Sequence, residues 1–246
     1  MTIELLAPHK QEALIQRELS LDLLIQLMTE AEFKEIQPPL DRFRALAYAR
    51  YTADGSPKTI ITAKEELDRT TAYYVVAQHP NLPLYLPLTH NLYPDRLRSQ
   101  FQEYPTIAGF FRIEHGSTSN DNHPIEAMKL IQWKGWPQDT TIGYCSEFTP
   151  NPLLSKHARC QVLHQLFIEA SHHAQNLGFA NELFVILADH VLEFVHDSRI
   201  DTQPVPGSEL NWENPTAREI FTTWPRYWGE PDSDNPPKLY KFVPFQ

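Results

Sequence analysis

One stretch limits this chain more than any other. A strand-forming run from Ile142 to Pro150 leads through a proline-bounded turn into a long amphipathic segment from Ser155 to Leu177. In that segment Leu163, Leu166, Phe167, Ala170, Ala174 and Leu177 recur at helical spacing, so one apolar stripe must be covered, and Gly178 ends the run. A continuous apolar run over 182–188 follows at once and reads as a buried strand. Strand, helix and strand in this order predict a right-handed crossover. The helix opens on Lys156, His157 and Arg159, cations placed where unpaired amides and the helix dipole already favour negative charge. That unfavourable placement predicts an anionic ligand at the strand-to-helix turn, where phosphates are commonly held.

The remaining elements are read around this unit. Leu14, Leu19, Leu23, Leu24 and Leu27 fall at helical spacing over 9–28, and Pro38-Pro39 closes an N-terminal helical extension spanning 1–40. Asp41 is placed to cap a second helix through Tyr51. β-rich runs predict strands over 71–77, 106–113 and 141–149, with a proline-laden excursion over 80–105. Asp189 is placed to cap a short helix to about His196, and a strand over 239–245 closes the chain. Antiparallel-looking strands early and a βαβ succession late predict an α+β domain over 41–246. Its core would be a twisted mixed sheet with helices on both faces.

Composition narrows the function classes. The chain has 246 residues and a formal net charge of −10, which disfavours nucleic-acid binding through phosphate contacts and suits a basic substrate such as an amine. No run approaches a membrane span, and the first residues lack the pattern of a secretory signal, so a cytoplasmic location is expected. Two cysteines without CxxC spacing, and eleven histidines without HExxH, predict no metal site. With only 8 glycines, neither GxGxxG nor GxxxxGK[ST] occurs. His90 and Asp95 match the HxxxxD spacing of glycerolipid acyltransferases, but the hydrophobic flank and later glycine motif of those enzymes are missing.

Several side chains can carry chemistry at the strand end. Glu147 stands beside the turn, and regular alternation would put it on one face with Cys145, opposite Tyr144, Ser146 and Phe148. A half-buried carboxylate there is suited to accept an ammonium proton, while an edge-strand glutamate facing water would look the same in sequence. His190 after the next strand and Tyr240 on the last are further candidates, each equally suited to packing or solvent. Cys145 has the residue type of a nucleophile and equally that of inert core filling.

The order of these pieces resembles the acyl-homoserine-lactone synthase and N-acyl amino acid synthase branch of the GNAT superfamily. Arg44-Ala-Leu-Ala-Tyr48-Ala-Arg-Tyr51 looks like that branch's arginine-aromatic helix, and Glu65-Glu-Leu-Asp68 like its acidic segment. Ile107-Ala-Gly-Phe-Phe-Arg112 looks like its glycine-then-arginine strand, and Cys145-Ser-Glu-Phe148 takes the place of its Ser-Arg-Phe strand. The family's arginine is Glu147 here, and Tyr144 replaces its usual glutamate, so lactone formation does not carry over. The RxxGxG/A pyrophosphate loop is absent over 150–161.

The resemblance implies an N-acyltransferase moving a medium or long acyl chain from acyl-CoA or acyl carrier protein to an amine of an amino acid or peptide. Glu147 would be the base, with His190 and Tyr240 in the same cleft. The main chain at Phe148 and Thr149 would hold pantetheine, and Lys156, His157 and Arg159 would face the phosphates. Tyr73, Phe110, Phe111, Phe148 and Phe184 would line an acyl tunnel. The rival is a non-catalytic scaffold that kept the fold and lost the chemistry.

Overall fold

The structure, a computed structural model, describes residues 23–29, 47–51, 71–78, 107–118, 125–151 and 154–243. Nine strands are described: β1 (Leu24–Thr29), β2 (Thr71–Gln78), β3 (Ile107–Ser117), β4 (Ile131–Gln132), β5 (Thr141–Pro150), β6 (Leu183–Leu187), β7 (Thr202–Pro204), β8 (Glu209–Leu210) and β9 (Lys238–Phe242). Among the helices are α1 (Glu126–Leu130), α2 (Lys156–Asn176), α3 (Asp189–Asp197), α4 (Pro215–Thr223) and α5 (Pro225–Trp228). Seven strands form one mixed sheet in the order β1-β2-β3-β5-β6-β9-β7, and β4 pairs with β8 in a small second sheet.

Period-two alternation divides the core into two layers. Cys145, Val185, Leu187, Tyr240 and Phe242 face α2, where Leu163, Leu166, Phe167, Ala170 and Ala174 cover them. Ile142, Tyr144, Phe184, Ile186 and Leu239 face the other way, toward Ala127 and Leu130 of α1 and the aromatic side chains of the α4–α5 segment. The expected mixed sheet with helices on both faces is what the chain forms.

The α2 helix starts and stops as its sequence dictates. The Ser155 hydroxyl accepts from the Ala158 amide at 3.2 Å. At the far end Gly178 takes φ +80°. The Phe179 amide then reaches back to the Ala174 carbonyl at 2.9 Å, and the Gly178 amide to that of Gln175 at 3.1 Å, a Schellman close. Leu177 falls outside the predicted stripe at 46 % exposure, because it is the C-cap residue and points beyond the covered face.

Two expectations are corrected. The helix read over 9–28 fails from Leu24 onward, where β1 pairs antiparallel with β2 from Leu24↔Gln78 to Thr29↔Tyr73. Leu23, Ile25 and Leu27 meet the core while Leu24 and Gln26 are exposed, so period two wins over helical spacing. Pairing with β2 ties this part of the first 40 residues to the main sheet. Secondly, Asp189 does not cap α3; Ala188 holds the cap position without a side-chain bond, and Asp189 is the first helical residue. Of the helix expected from Asp41 to Tyr51, the described residues 47–51 are helical and end as 3₁₀ at Ala49–Tyr51. Residues 9–22 and 41–46, the acidic run over 65–68 and the HxxxxD match over 90–95 lie outside the described residues.

Toward the C-terminal end of α2, Tyr73 stacks on His115 at 5.7 Å and meets His173 of the helix edge-on at 4.4 Å. Burial lowers the pKa of both histidines; His173 adds to the effect on His115, while Glu169 opposes it at His173. The unfolded chain therefore binds protons here more readily than the folded one. Stability is complete above the ordinary histidine pKa, about 6.5, and is lost as pH falls through that value toward the lower folded ones. We expect the thermal midpoint to drop between pH 7 and pH 5. In a His115→Gln/His173→Gln protein that part of the slope should disappear; an unchanged slope would rule the pair out as its source.

Candidate active site

β5 and β6 are parallel and pair only from Gly143↔Leu183 to Cys145↔Val185. Beyond that point β5 runs on to Pro150 and β6 to Leu187, so the two strands splay. A bulge in β5 helps to open the gap. Its partner β3 matches Arg112 with Ser146 and Phe110 with Thr149, leaving Glu147 and Phe148 opposite the single residue Phe111. Glu147 sits there at φ +61°, a left-handed conformation that a side-chain-bearing residue adopts at a cost.

The bulge overturns the alternation expected from sequence. Phe148, not Glu147, shares the α2 side with Cys145, packing at 5.2 Å on Phe111. The carboxylate of Glu147 instead acts on Tyr48 and Arg112, groups associated with the opposite side of the sheet.

A cavity of about 520 Å³ fills the splay and takes its walls from both layers of the core. Toward α2 and α3 it is apolar, with Cys145, Phe148, Leu163, Val191, Phe194 and Val195. Toward α1, α4 and α5 it is aromatic and acidic, with Tyr48, Tyr51, Trp224, Tyr227, Glu126 and Glu147. Tyr48 stacks on Trp224 at 5.2 Å and lies 5.7 Å from Tyr51, which meets Tyr227 edge-on at 5.6 Å. The Tyr48 hydroxyl donates to the Phe148 carbonyl, and the Tyr227 hydroxyl to the Ile186 carbonyl at 3.0 Å. Burial raises the pKa of both tyrosines, so both stay protonated and act as donors.

Behind Glu126 lies a buried ion network. The Arg112 guanidinium, 1 % exposed, is 3.2 Å from Glu114 and 3.7 Å from Glu126. Burial alone would lower its pKa, but Glu114, then Glu147 and Glu126, outweigh that and hold the charge in place. The Glu114 carboxylate also accepts the Glu126 amide at 3.2 Å and so fixes the start of α1. In sequence Arg112 appeared only within the arginine-bearing strand of the resemblance. The missed signal was an Arg–Glu pair at i, i+2 inside an otherwise apolar strand.

The predicted site residues divide. Glu147, Phe148, Thr149, Lys156, Arg159 and His190 all line the cavity. His190 is exposed at its rim, 5.7 Å from Tyr51 and 6.0 Å from Tyr227. Lys156 is ion-paired with Asp197 at 2.6 Å, so α3 supplies a counterion that sequence reasoning assigned to a ligand. Arg159 lies 5.9 Å from the Phe194 ring. His157 is exposed, bonds Gln161 at 3.0 Å and does not line the cavity.

Tyr240 is buried in the α2-side core and does not reach the cleft, because its register with Val185 points it under the sheet. Of the five expected tunnel aromatics, only Phe148 lines the cavity. Cys145 is fully buried, and burial raises its thiol pKa well above the ordinary value, which disfavours the thiolate a nucleophile needs. Among the described residues no cluster of three metal-ligating side chains occurs. Nor is any described helix long and apolar enough to cross a membrane.

The fold is shared with a solved acyl-homoserine-lactone synthase. The crystal structure of the AHL synthase LasI matches 90 % of this chain and 89 % of its own, with a TM-score of 0.51 at 12 % identity. The CoA-dependent acyl-homoserine lactone synthase BjaI, solved with SAM and isopentyl-CoA, covers 81 % of this chain and 88 % of its own, with a TM-score of 0.41 at 11 % identity. No protein-family model and no curated protein sequence matches the chain.

Proposed function

We propose that the chain is a GNAT-like N-acyltransferase whose β5–β6 cleft takes an acyl thioester, from acyl-CoA or acyl carrier protein, and transfers the acyl group to an amine. The observation that carries this reading is the two-sided cavity at the splay, apolar toward α2 and α3, acidic and aromatic toward α4 and α5. The apolar side suits the acyl and pantetheine chain, and the acidic side an ammonium acceptor. Glu147 takes a proton from the ammonium, the amine nitrogen attacks the thioester carbonyl, the C–N bond forms, and the C–S bond breaks. The thiolate leaves and takes up a proton. His190 at the rim is placed to relay protons, and the main chain at Phe148 and Thr149 to receive the pantetheine.

Lys156 and Arg159 remain the cations nearest the donor's polar end. With Lys156 already paired, Arg159 carries more of any phosphate contact. The acceptor is an amino acid or a peptide amine, and lipidation of a peptide fits the same chemistry. The test is turnover with a panel of acyl-CoA and acyl carrier protein donors of graded chain length against amino acid and peptide acceptors. Release of free thiol that depends on the acceptor supports the reading. No acceptor-dependent release with any donor, together with a tightly bound protein partner in native mass spectrometry, would favour a scaffold.

A further inference from the structure

The splay leaves main-chain groups of β5 and β6 without their sheet partners, and buried groups of this kind must be satisfied some other way. Continuing the register Cys145↔Val185 would set Glu147 opposite Leu187. In a parallel pair, the residue opposite Leu187 donates its N–H to the carbonyl of Ile186 and accepts from the amide of Ala188. The strands have parted there, and Tyr227 supplies both halves of the missing rung. Its hydroxyl donates to the Ile186 carbonyl at 3.0 Å, and the Ala188 backbone bonds the same oxygen. On the β5 side, the Glu147 carbonyl accepts the Thr149 hydroxyl at 2.7 Å.

We infer that Tyr227 is a positioning residue that replaces a peptide of β5, holds the cleft open, and closes the β6 edge to main-chain bonding. An entering donor then finds polar main-chain partners along β5 alone. The ring is fixed for this task from three directions, by Trp228 at 4.8 Å, Tyr51 at 5.6 Å and His190 at 6.0 Å. Tyr227 lies in the segment between β8 and β9, on α5.

The role in holding the edge stands without reference to turnover. The confinement of the donor rests on the acyltransfer reading. Tyr227→Phe keeps the ring and removes the hydroxyl. We expect the Ala188 amide to exchange with deuterium about tenfold faster, while the Leu187 amide, on the residue paired with Lys238 of β9, changes less than about twofold. With an acyl-pantetheine donor, KM for the donor should rise about tenfold, a larger change than in kcat or in KM for the acceptor.

Unchanged Ala188 exchange overturns the rung, whatever the activity. Faster exchange with an unchanged donor KM overturns the confinement. If no acyl transfer is found, the exchange result still decides the rung, and it is the proposed reaction that falls. Should Tyr227→Phe fail to fold, 3-fluorotyrosine at position 227 keeps the shape and alters the hydroxyl, and an unmoved Ala188 amide resonance contradicts the assignment.

Discussion

A Glu147→Gln protein is expected to bind an acyl donor as the parent does and to turn over about 100- to 10,000-fold more slowly, the usual contribution of a positioned base. Glutamine keeps the shape and hydrogen-bonding reach of the side chain but cannot hold a proton taken from an ammonium. The effect should therefore fall on kcat, with KM for the donor nearly unchanged. Stability gives an independent readout. Glu147 adopts φ +61° at the bulge, a conformation that costs a side-chain-bearing residue about 1–2 kcal/mol and glycine nothing. Glu147→Gly should thus be as inactive as Glu147→Gln while melting at the same temperature as the parent or higher. An active Glu147→Gln protein at neutral pH removes the base. A Glu147→Gly protein that melts clearly lower shows that the bulge needs the side chain for packing.

The second large effect is on folding. Arg112 and Glu114 are 1 % and 4 % exposed, and Glu126 approaches the same guanidinium at 3.7 Å. Arg112→Met would strand the Glu114 carboxylate in the interior and leave Glu126, on the cavity wall, without this cation, and breaking a buried pair from one side costs about 3–5 kcal/mol. For a chain of this size that corresponds to a fall of about 6–20 °C in the thermal midpoint. Removing the opposite charge as well, in Arg112→Met/Glu114→Leu, should recover part of the loss, since the penalty comes from the uncompensated ion more than from the missing contact. A single variant melting within about 2 °C of the parent would mean that water or neighbouring groups neutralise these carboxylates, against their observed burial.

These effects mark what was and was not legible in the sequence. The crossover from β5 through α2 to β6 could be read because its signals agree: a single apolar stripe, a serine cap, and a glycine at the Schellman position. β1 could not, because Leu23 and Leu27 satisfy helical and alternating spacing alike, Leu24 favours the helix, and only pairing with β2 chooses between them. The bulge is invisible to a period-two reading. Nothing in Cys145-Ser-Glu-Phe148 announces that two residues will face one, yet that extra residue moves Glu147 to the acidic side of the cleft. The aromatic wall escaped for a different reason. Tyr48 and Trp224 are far apart in the chain, and their 5.2 Å stacking is a product of the closed fold. Lys156 was placed correctly at the helix start, but its partner Asp197 belongs to the next helix and could not be inferred from local charge.

The central claim is that the gap between β5 and β6 receives the acyl donor, and it is most directly tested by a crystal structure with a thioether analogue of an acyl-pantetheine. Both proposed donors share that group. The account predicts the sulfur between the Glu147–Thr149 bulge and Ile186, with the acyl chain against Phe148, Leu163 and Phe194. Ligand bound elsewhere on the molecule, with the splay unchanged and empty, would contradict it.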